Sequence, residues 1–288
     1  MAIRFDQTTS WIMATLVAGS LFLGIYFIFR YEAGRRESAA IEESDHTKKS
    51  PDSHDTKEFL PEAPALWGYT GSRSPGKWAS LDDSYSLCGS GKSQSPIDIG
   101  DARGDSHLKP VVIRYEDSSV TLALNGGDLS GNIAAGGHLE FEGDRFPLKR
   151  VVFHLPAEHK RLGIPYPMEI QLHHQDVAGH QLILSVFVEQ GKSHEGLAML
   201  AKNLPEEDLH QRDIDHVSWS ALLPSKKNYF TYQGSLSQPP CTEGVRWVVM
   251  TDFITAAPAD LQRFQKVTGH NARPVQALSG REIRRSIR

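Results

Sequence analysis

The chain has 288 residues, and its 31 Lys and Arg against 35 Asp and Glu give a formal net charge of -4. Because this charge is small and slightly negative, the composition does not indicate a nucleic-acid partner. Hydrophobic residues make up 39% and charged residues 23%, which is typical of a globular protein and excludes a chain that is disordered throughout.

The first element along the chain is an apolar run. Residues 8–29 contain no charged side chain, and Trp11 and Tyr26 lie near the two ends of the most apolar part. About 20 apolar residues cross a bilayer as a helix, with aromatic residues favoured at its interfaces. A cleavable signal peptide is the alternative, but its apolar core is usually about 7–15 residues and ends at a small-residue site. We therefore predict an N-terminal tail over residues 1–10 and a transmembrane helix over residues 11–29.

A polar segment follows at residues 30–62. It is rich in Ser, Asp, Glu and Lys, and it has almost no large apolar residue before Phe59. Such a segment cannot bury enough apolar surface to fold alone, so we predict a flexible charged linker. The remaining residues, 63–288, then form one domain.

Short β-strands dominate the pattern of this domain. Apolar and β-branched runs at residues 111–115, 120–124, 138–143, 183–191 and 246–253 are separated by Gly, Asn, Asp and Pro. Residues 191–203 and 258–265 are predicted helices. The domain is therefore predicted to be mostly β, with short helices.

Histidines and carboxylates concentrate in residues 146–174, which are predicted to be two strands joined by a loop. Side chains alternate along a strand, so Val152 and His154 share one face of the first strand. The second strand presents three polar side chains on one face, namely Glu169, Gln171 and His173. Such groups on neighbouring strands are typical of a metal site and the side chains that orient its ligands.

The two strands carry a recognisable pair of motifs. VVFHLPAEH and YPMEIQLHH resemble FHFHxPSEH and YPMExHLVH of the α-class carbonic anhydrases. Further similar motifs are WGY at 67–69, QSPID at 94–98, GSLSQPPC at 234–241 and NARPVQ at 271–276. The resemblance covers about residues 67–281. It implies the fold of that family, a large, twisted, mainly antiparallel central sheet with short peripheral helices.

The resemblance also implies that catalytic residues have been replaced. Three histidines bind zinc in the family, and the matching positions here are Val152, His154 and Gln171. Valine cannot coordinate a metal, and glutamine offers only a weak neutral oxygen. Catalytic zinc needs three protein ligands and a water whose pKa the metal lowers to about 7. We therefore expect no zinc cofactor and no CO2 hydration.

The resemblance also assigns roles to residues around the ligand positions. By the resemblance, Glu158 would orient a hydroxyl at Ser237, Glu169 would hold the third ligand, and Asp128 takes the place of the proton-shuttle histidine. The positions that form the apolar pocket wall in the family are Ile183, Leu236, Val245 and Trp247.

His173 leaves one alternative open. With His154 and Gln171 it would supply the donors of a displaced metal site. Two residues along a strand span about 6.5 Å, whereas a zinc–nitrogen bond is about 2.1 Å, so the metal would have to move.

Cys88 and Cys241 match a disulfide pair of secreted and bacterial members of the family. Disulfides persist in oxidising compartments, which indicates the periplasm or the extracellular or lumenal space for the domain. Arg30, Arg35 and Arg36 after the apolar run favour the opposite orientation. We base the predicted orientation on the cysteines, because large domains cross membranes largely regardless of flanking charge.

The favoured function is a membrane-anchored carbonic anhydrase-like protein that has lost zinc and acts as a binding or scaffolding domain. A working enzyme with a rearranged metal site and a structural subunit of a membrane complex are the alternatives. The expected partner is a protein, or an anionic polysaccharide or lipid that meets the arginines of the C-terminal segment, Arg281, Arg284, Arg285 and Arg288.

Overall fold

The computed structural model describes residues 66–287. The predicted N-terminal tail, transmembrane helix and linker, residues 1–62, lie outside the described residues. Within residues 66–287, the helices are all too short or too polar to cross a membrane.

The described part of the chain consists mainly of short strands. They are β1 (Asp98–Ile99), β2 (Arg103–Asp105), β3 (Val112–Tyr115), β4 (Ser118–Asn125), β5 (Asp128–Ile133), β6 (Gly137–Phe141), β7 (Asp144–His154), β8 (Lys160–Arg161), β9 (Ile164–Pro165), β10 (Met168–Gln175), β11 (Gln181–Gln190), β12 (Gln211–Val217), β13 (Tyr229–Ser235), β14 (Glu243–Met250), β15 (Ile254–Ala256) and β16 (Arg284–Ser286). The α-helices are α1 (Leu87–Ser90), α2 (Glu195–Lys202) and α3 (Pro258–Thr268), and 3-10 turns lie at Gly71–Arg73, Pro75–Ser80 and Asp83–Tyr85. The prediction of a mostly β domain with short helices is confirmed.

One large sheet organises these strands. Its main path runs in the order β12-β4-β5-β7-β10-β11-β14-β13-β16-β2, and a small separate sheet joins β1, β8 and β9. Neighbours along the main path are antiparallel except at β11–β14 and β16–β2. The predicted pair of strands in residues 146–174 is the adjacent antiparallel pair β7 and β10 at the centre of this path.

Alternating side chains divide the sheet between two apolar clusters. Val151 and Phe153 of β7 belong to the larger cluster, which also contains residues of helices α2 and α3. Ile183 and Trp247, on β11 and β14, belong to a smaller cluster on the other face. Burial of both faces of β11 explains its nearly continuous apolar sequence. Because Val152 and His154 alternate with Val151 and Phe153, they project on the face away from the larger cluster.

The C-terminal segment is part of the fold. Strand β16 pairs with β13 and β2, and Arg284 forms ion pairs with Asp105 at 3.2 Å and Glu142 at 3.6 Å. Arg281 donates hydrogen bonds to backbone carbonyl oxygens, including that of Gln94 at 2.7 Å. These two arginines therefore support the domain rather than a free basic tail.

A disulfide joins Cys88 in α1 to Cys241 after β13, as the family resemblance implies. The two residues are 153 positions apart in the sequence. The bond therefore closes a loop that includes most of the strands. In the chain-entropy view, closing so long a loop stabilises the folded domain by about 5 kcal/mol, because it restricts the unfolded chain.

Reduction of this disulfide is expected to lower the melting temperature of the domain. Thermal unfolding, followed by circular dichroism with and without reductant, measures the shift. The double variant Cys88→Ser/Cys241→Ser is the matched control, since it should melt near the reduced protein and not respond to reductant. Equal melting temperatures for oxidised and reduced protein would contradict the expectation.

Candidate functional site

The register of β7 and β10 brings the predicted site residues together. Gln171 pairs with Val152, Glu169 pairs with His154, and His173 pairs with Arg150. Residues that face each other across a ladder point to the same side of the sheet. We call this side, which carries Val152, His154, Gln171 and His173, the site face.

His154 is held firmly with one ring nitrogen directed into the site. Its ring is fully buried, and Nδ1 lies 2.8 Å from the backbone carbonyl oxygen of Asn271. Because a carbonyl oxygen only accepts hydrogen bonds, Nδ1 carries the proton of this contact. Nε2 lies 3.3 Å from Oε2 of Glu158 and has no hydrogen-bond partner within residues 66–287.

Gln171 connects two buried carboxylates. Its Nε2 donates to Oε2 of Glu158 at 2.8 Å and to Oε1 of Glu169 at 3.2 Å. Carboxylates accept hydrogen bonds, so these contacts fix which end of the amide is the NH2 group. Oε1 of Gln171 is buried, and no partner for it is found in the described part of the chain.

Glu169 belongs to a dense buried network. It accepts hydrogen bonds from His159 Nδ1 at 2.8 Å, from the His159 backbone N–H at 2.9 Å and from Ser185 Oγ at 2.7 Å. Burial raises the pKa of Glu169, but the charge and hydrogen bonds of His159 outweigh it and lower the pKa to about 2. The other ring nitrogen of His159 lies 2.7 Å from the Tyr232 hydroxyl. The VVFHLPAEH motif includes His159, whereas no sequence signal marks Tyr232.

The hydrogen bonds of Glu158 differ from those that the family resemblance implies. Its Oε1 accepts from the backbone N–H of Arg273 at 2.9 Å, and its Oε2 accepts from Gln171. Ser237 is buried, but no hydrogen bond joins it to Glu158 in residues 66–287. The side-chain donor to this carboxylate is the Gln171 amide instead.

Asp128 lies on the same side of the sheet, on β5, and both of its carboxylate oxygens are engaged. Arg150 Nη2 donates to Oδ2 at 2.8 Å, and Gln238 Nε2 donates to Oδ1. The same Gln238 nitrogen donates to the Tyr69 hydroxyl at 3.0 Å. Asp128 is therefore fixed by an ion pair and a hydrogen bond, unlike a side chain that swings to carry protons.

His173 lies between the polar and the apolar parts of the site face. Its ladder partner on the other side is Ile183, and Nε2 has no partner among the described residues. Burial, followed by the charge of Arg150, lowers the pKa of His173 well below its usual range, so the ring is neutral at pH 7. The residues predicted for the apolar wall do lie together: Ile183, Val245 and Trp247 are buried in the smaller cluster, and Leu236 packs against it.

A family profile for eukaryotic-type carbonic anhydrases matches residues 73–287. The chain belongs to this family. A carbonic anhydrase of Pectobacterium atrosepticum is 32% identical over 219 residues, which cover 75% of this chain and 89% of that protein.

Solved structures of the family agree with the fold. An α-carbonic anhydrase of Thermovibrio ammonificans, solved with the inhibitor sulfanilamide, superposes with a TM-score of 0.73 at 37% identity. The match covers 76% of this chain and 98% of that structure. Dioscorin complexed with ascorbate superposes with a TM-score of 0.70 at 26% identity, over 76% of this chain and 97% of that structure.

The site residues do not fit the zinc ion of the carbonic anhydrases. At the positions that the motif resemblance matches to the zinc ligands, Val152 has no donor atom and Gln171 directs its N–H groups to two carboxylates. His154 alone retains a zinc-binding side chain there. Within residues 66–287, no cluster of three or more His, Cys, Asp and Glu side chains is arranged to hold a metal. A single imidazole cannot replace the three ligands of a catalytic zinc site.

Replacing Gln171 by Leu is expected to destabilise the domain by roughly 1–3 kcal/mol, because Glu158 and Glu169 would lose a buried hydrogen-bond donor. Denaturant unfolding measures the change in free energy. Gln175→Leu is the matched control on the same strand, since Gln175 is exposed and its change should stay within about 0.5 kcal/mol. Equal losses for the two variants would show that the Gln171 amide does not stabilise the buried carboxylates.

Proposed function

We propose that this chain is a membrane-anchored carbonic anhydrase-like protein that has lost zinc and CO2 hydration and works by binding. The proposal rests on the hydrogen bonds of the Gln171 side chain. Its amide is bound to Glu158 and Glu169 at the position where the family has a zinc ligand.

The proposed loss of CO2 hydration follows from the pKa of water. Zinc lowers the pKa of a bound water to about 7, whereas free water has a pKa of about 15.7. Without the metal, water at this site is not a nucleophile at neutral pH. Glu158 is held by the fold, because its two oxygens accept hydrogen bonds from the Gln171 amide and the Arg273 backbone N–H.

Binding is supported by polar atoms that the fold leaves unsatisfied. His154 Nε2, Gln171 Oε1 and His173 Nε2 are buried on the site face without a partner among residues 66–287. Buried polar groups are normally paired, so such a concentration favours a bound molecule or ordered water. The related dioscorin has been solved with ascorbate, so a relative with this fold holds a small organic molecule.

Anchoring is proposed from the apolar residues 11–29, with the domain on the oxidising side of the membrane because of its disulfide. The proposed partner is a protein, or an anionic polysaccharide or lipid. Arg281 and Arg284 are engaged within the fold, which leaves less basic surface for an anionic partner. This favours a protein partner.

Purified protein should carry less than about 0.2 zinc per chain, because two of three ligand positions lack a suitable donor. CO2 hydration should not exceed the buffer rate. Elemental analysis and stopped-flow hydration assays, on protein purified without chelator, make both measurements. One zinc per chain that survives mild chelation, together with hydration, would contradict the proposal.

Restoring the ligands should bring zinc back. In Val152→His/Gln171→His, the two new imidazoles join His154. Glu169, which accepts a hydrogen bond from residue 171 in the parent protein, should orient the new ring. Stoichiometric zinc and weak hydration are expected. Proton transfer by a positioned side chain typically contributes about 100-fold or more, so the rate should stay at least that far below a typical family enzyme, since Asp128 is tied to Arg150.

Adding His173→Val to the double variant should raise the hydration rate further by restoring an apolar wall beside Ile183. Single variants with one restored histidine serve as controls and should bind zinc weakly. A folded double variant without zinc would show that positions 152 and 171 are not the ligand positions.

The full chain should sediment with membranes and resist extraction by high salt or carbonate. Removal of residues 1–29 should release it into the soluble fraction, because the remaining chain lacks the proposed anchor. Membrane fractionation followed by immunoblotting measures the distribution. A full chain that salt extracts completely would contradict anchoring.

A further inference from the structure

We infer that the turn between β8 and β9 contacts the lipid bilayer and holds the domain against the membrane surface. This inference rests on the anchoring in the proposed function, because the anchor keeps a bilayer close to the domain. The contact surface, which we call the hairpin patch, consists of Leu162, Ile164, Tyr166 and Phe253.

Large apolar side chains are exposed in the hairpin patch. The exposed fractions are 59% for Leu162, 67% for Ile164 and 46% for Phe253. Tyr166 is half-buried, and its ring centre lies 4.4 Å from that of Phe187 and 6.0 Å from that of Phe253. Ile164 precedes Tyr166 by two positions, the spacing of neighbours on one side of a strand. These side chains therefore form a row, whereas single exposed apolar residues on a surface need no explanation.

The backbone of the turn does not favour a leucine. Leu162 and Gly163 connect β8 to β9, and their φ values are 52° and 78°. Two positive φ values are typical of a type I′ turn, in which Asn or Asp before Gly is favoured. A bulky side chain is disfavoured at positive φ. Leu162 is therefore unfavourable both for the turn and in water, which favours a role in contact with another surface.

The domain holds the turn in a fixed position. The Gly163 backbone N–H donates to Asp98 Oδ1 at 3.0 Å, and the Leu162 backbone N–H donates to the Ile99 carbonyl oxygen at 3.1 Å. Arg161 Nη1 donates to the same carbonyl oxygen at 2.9 Å. Because the turn is already ordered, a contact made through it loses little conformational entropy.

The chemistry of the hairpin patch matches lipid. Residues 162–167, LGIPYP, contain no charged side chain. Apolar and aromatic side chains are favoured where a bilayer meets water. The charged residues beside the patch are of both signs, namely Asp98, Lys160, Arg161, Glu189 and Asp252. The contact should therefore depend on burial of apolar side chains and not on the charge of the lipid.

The proposed anchor brings the bilayer within reach of the patch. Residues 30–65 lie between the proposed transmembrane helix and Leu66. A flexible linker of that length has a root-mean-square extension of about 30–36 Å. Tethering at such a distance raises the effective concentration of the bilayer. A contact that is too weak to recruit a free domain is then sufficient.

Strand β10 provides an apolar reference residue far from the patch. It begins at Met168, directly after the hairpin, and its 8 residues end before the turn that carries Val177. Eight residues of a strand span about 26 Å, so Val177 lies well away from a bilayer that contacts the hairpin patch. Val177 is fully exposed, so it controls for labelling that follows exposure alone.

Photolabelling of the full chain in phosphatidylcholine vesicles tests the inference. A phosphatidylcholine with a diazirine near the top of one acyl chain labels the residues that it contacts, and fragmentation in the mass spectrometer locates the labels. We expect labels at residues 162–166, at Phe253 and at residues 11–29, and none at Val177. Vesicles that also contain phosphatidylglycerol should give yields within about twofold, because the patch carries no basic cluster.

A variant of the turn separates lipid contact from stability. Leu162→Asn/Ile164→Thr should lower the label yield at Phe253 about tenfold, because two apolar side chains no longer enter the bilayer. Its melting temperature should not fall, because Asn is favoured at positive φ in this type of turn. Val177→Asn is the matched control, and it should leave the labels at residues 162–166 and Phe253 unchanged.

Labels at residues 11–29 without labels at the hairpin patch would overturn the inference and indicate a protein partner for the patch. Equal labelling of Val177 and the patch, labelling in anionic vesicles only, or an unchanged yield at Phe253 in the turn variant would also overturn it. A lower melting temperature of that variant would show that Leu162 serves the fold. Labels at the patch but not at residues 11–29 would refute the proposed anchoring alone, whereas labels at neither would refute both.

Discussion

The hydrogen bonds from the Gln171 amide to Glu158 and Glu169 are the contacts on which the rest of the site depends. Two carboxylates buried side by side are costly unless donors surround them. The Arg273 backbone N–H, His159 and Ser185 supply the other donors. With the amide in place, both carboxylates accept hydrogen bonds from the protein itself. The arrangement therefore stabilises two buried carboxylates through donors of the domain.

The sheet separates the site face from the main apolar packing of the domain. Strands β7 and β10 lie at its centre, and their opposite faces belong to different environments, with Val151 and Phe153 packed in the larger apolar cluster. A substitution on the site face leaves that cluster untouched. The Cys88–Cys241 disulfide adds a restraint that is independent of the site. The packing of the larger cluster and the disulfide are therefore both separate from the side chains of Val152 and Gln171.

The sequence predicts the strands better than it predicts the contacts between side chains. Period-two alternation in VVFHLPAEH places Val152 with His154, because that spacing is a property of every strand. The disulfide was predictable only through the family resemblance, since two cysteines 153 positions apart carry no local signal. The Asp128–Arg150 pair joins two strands, and Glu158 accepts from Gln171 rather than from Ser237. Both contacts depend on which donors the assembled sheet brings close to each carboxylate.

We propose that His154 faces a site closed by Gln171 rather than a bound metal. Nitrogen NMR of the full chain with labelled histidine, recorded before and after one equivalent of zinc, tests it most directly. We expect the His154 spectrum to show a proton on Nδ1, held by the Asn271 carbonyl oxygen, and no metal on Nε2. Added zinc should leave both resonances in place. A shift of the Nε2 resonance to a metal-bound position at stoichiometric zinc would contradict the account.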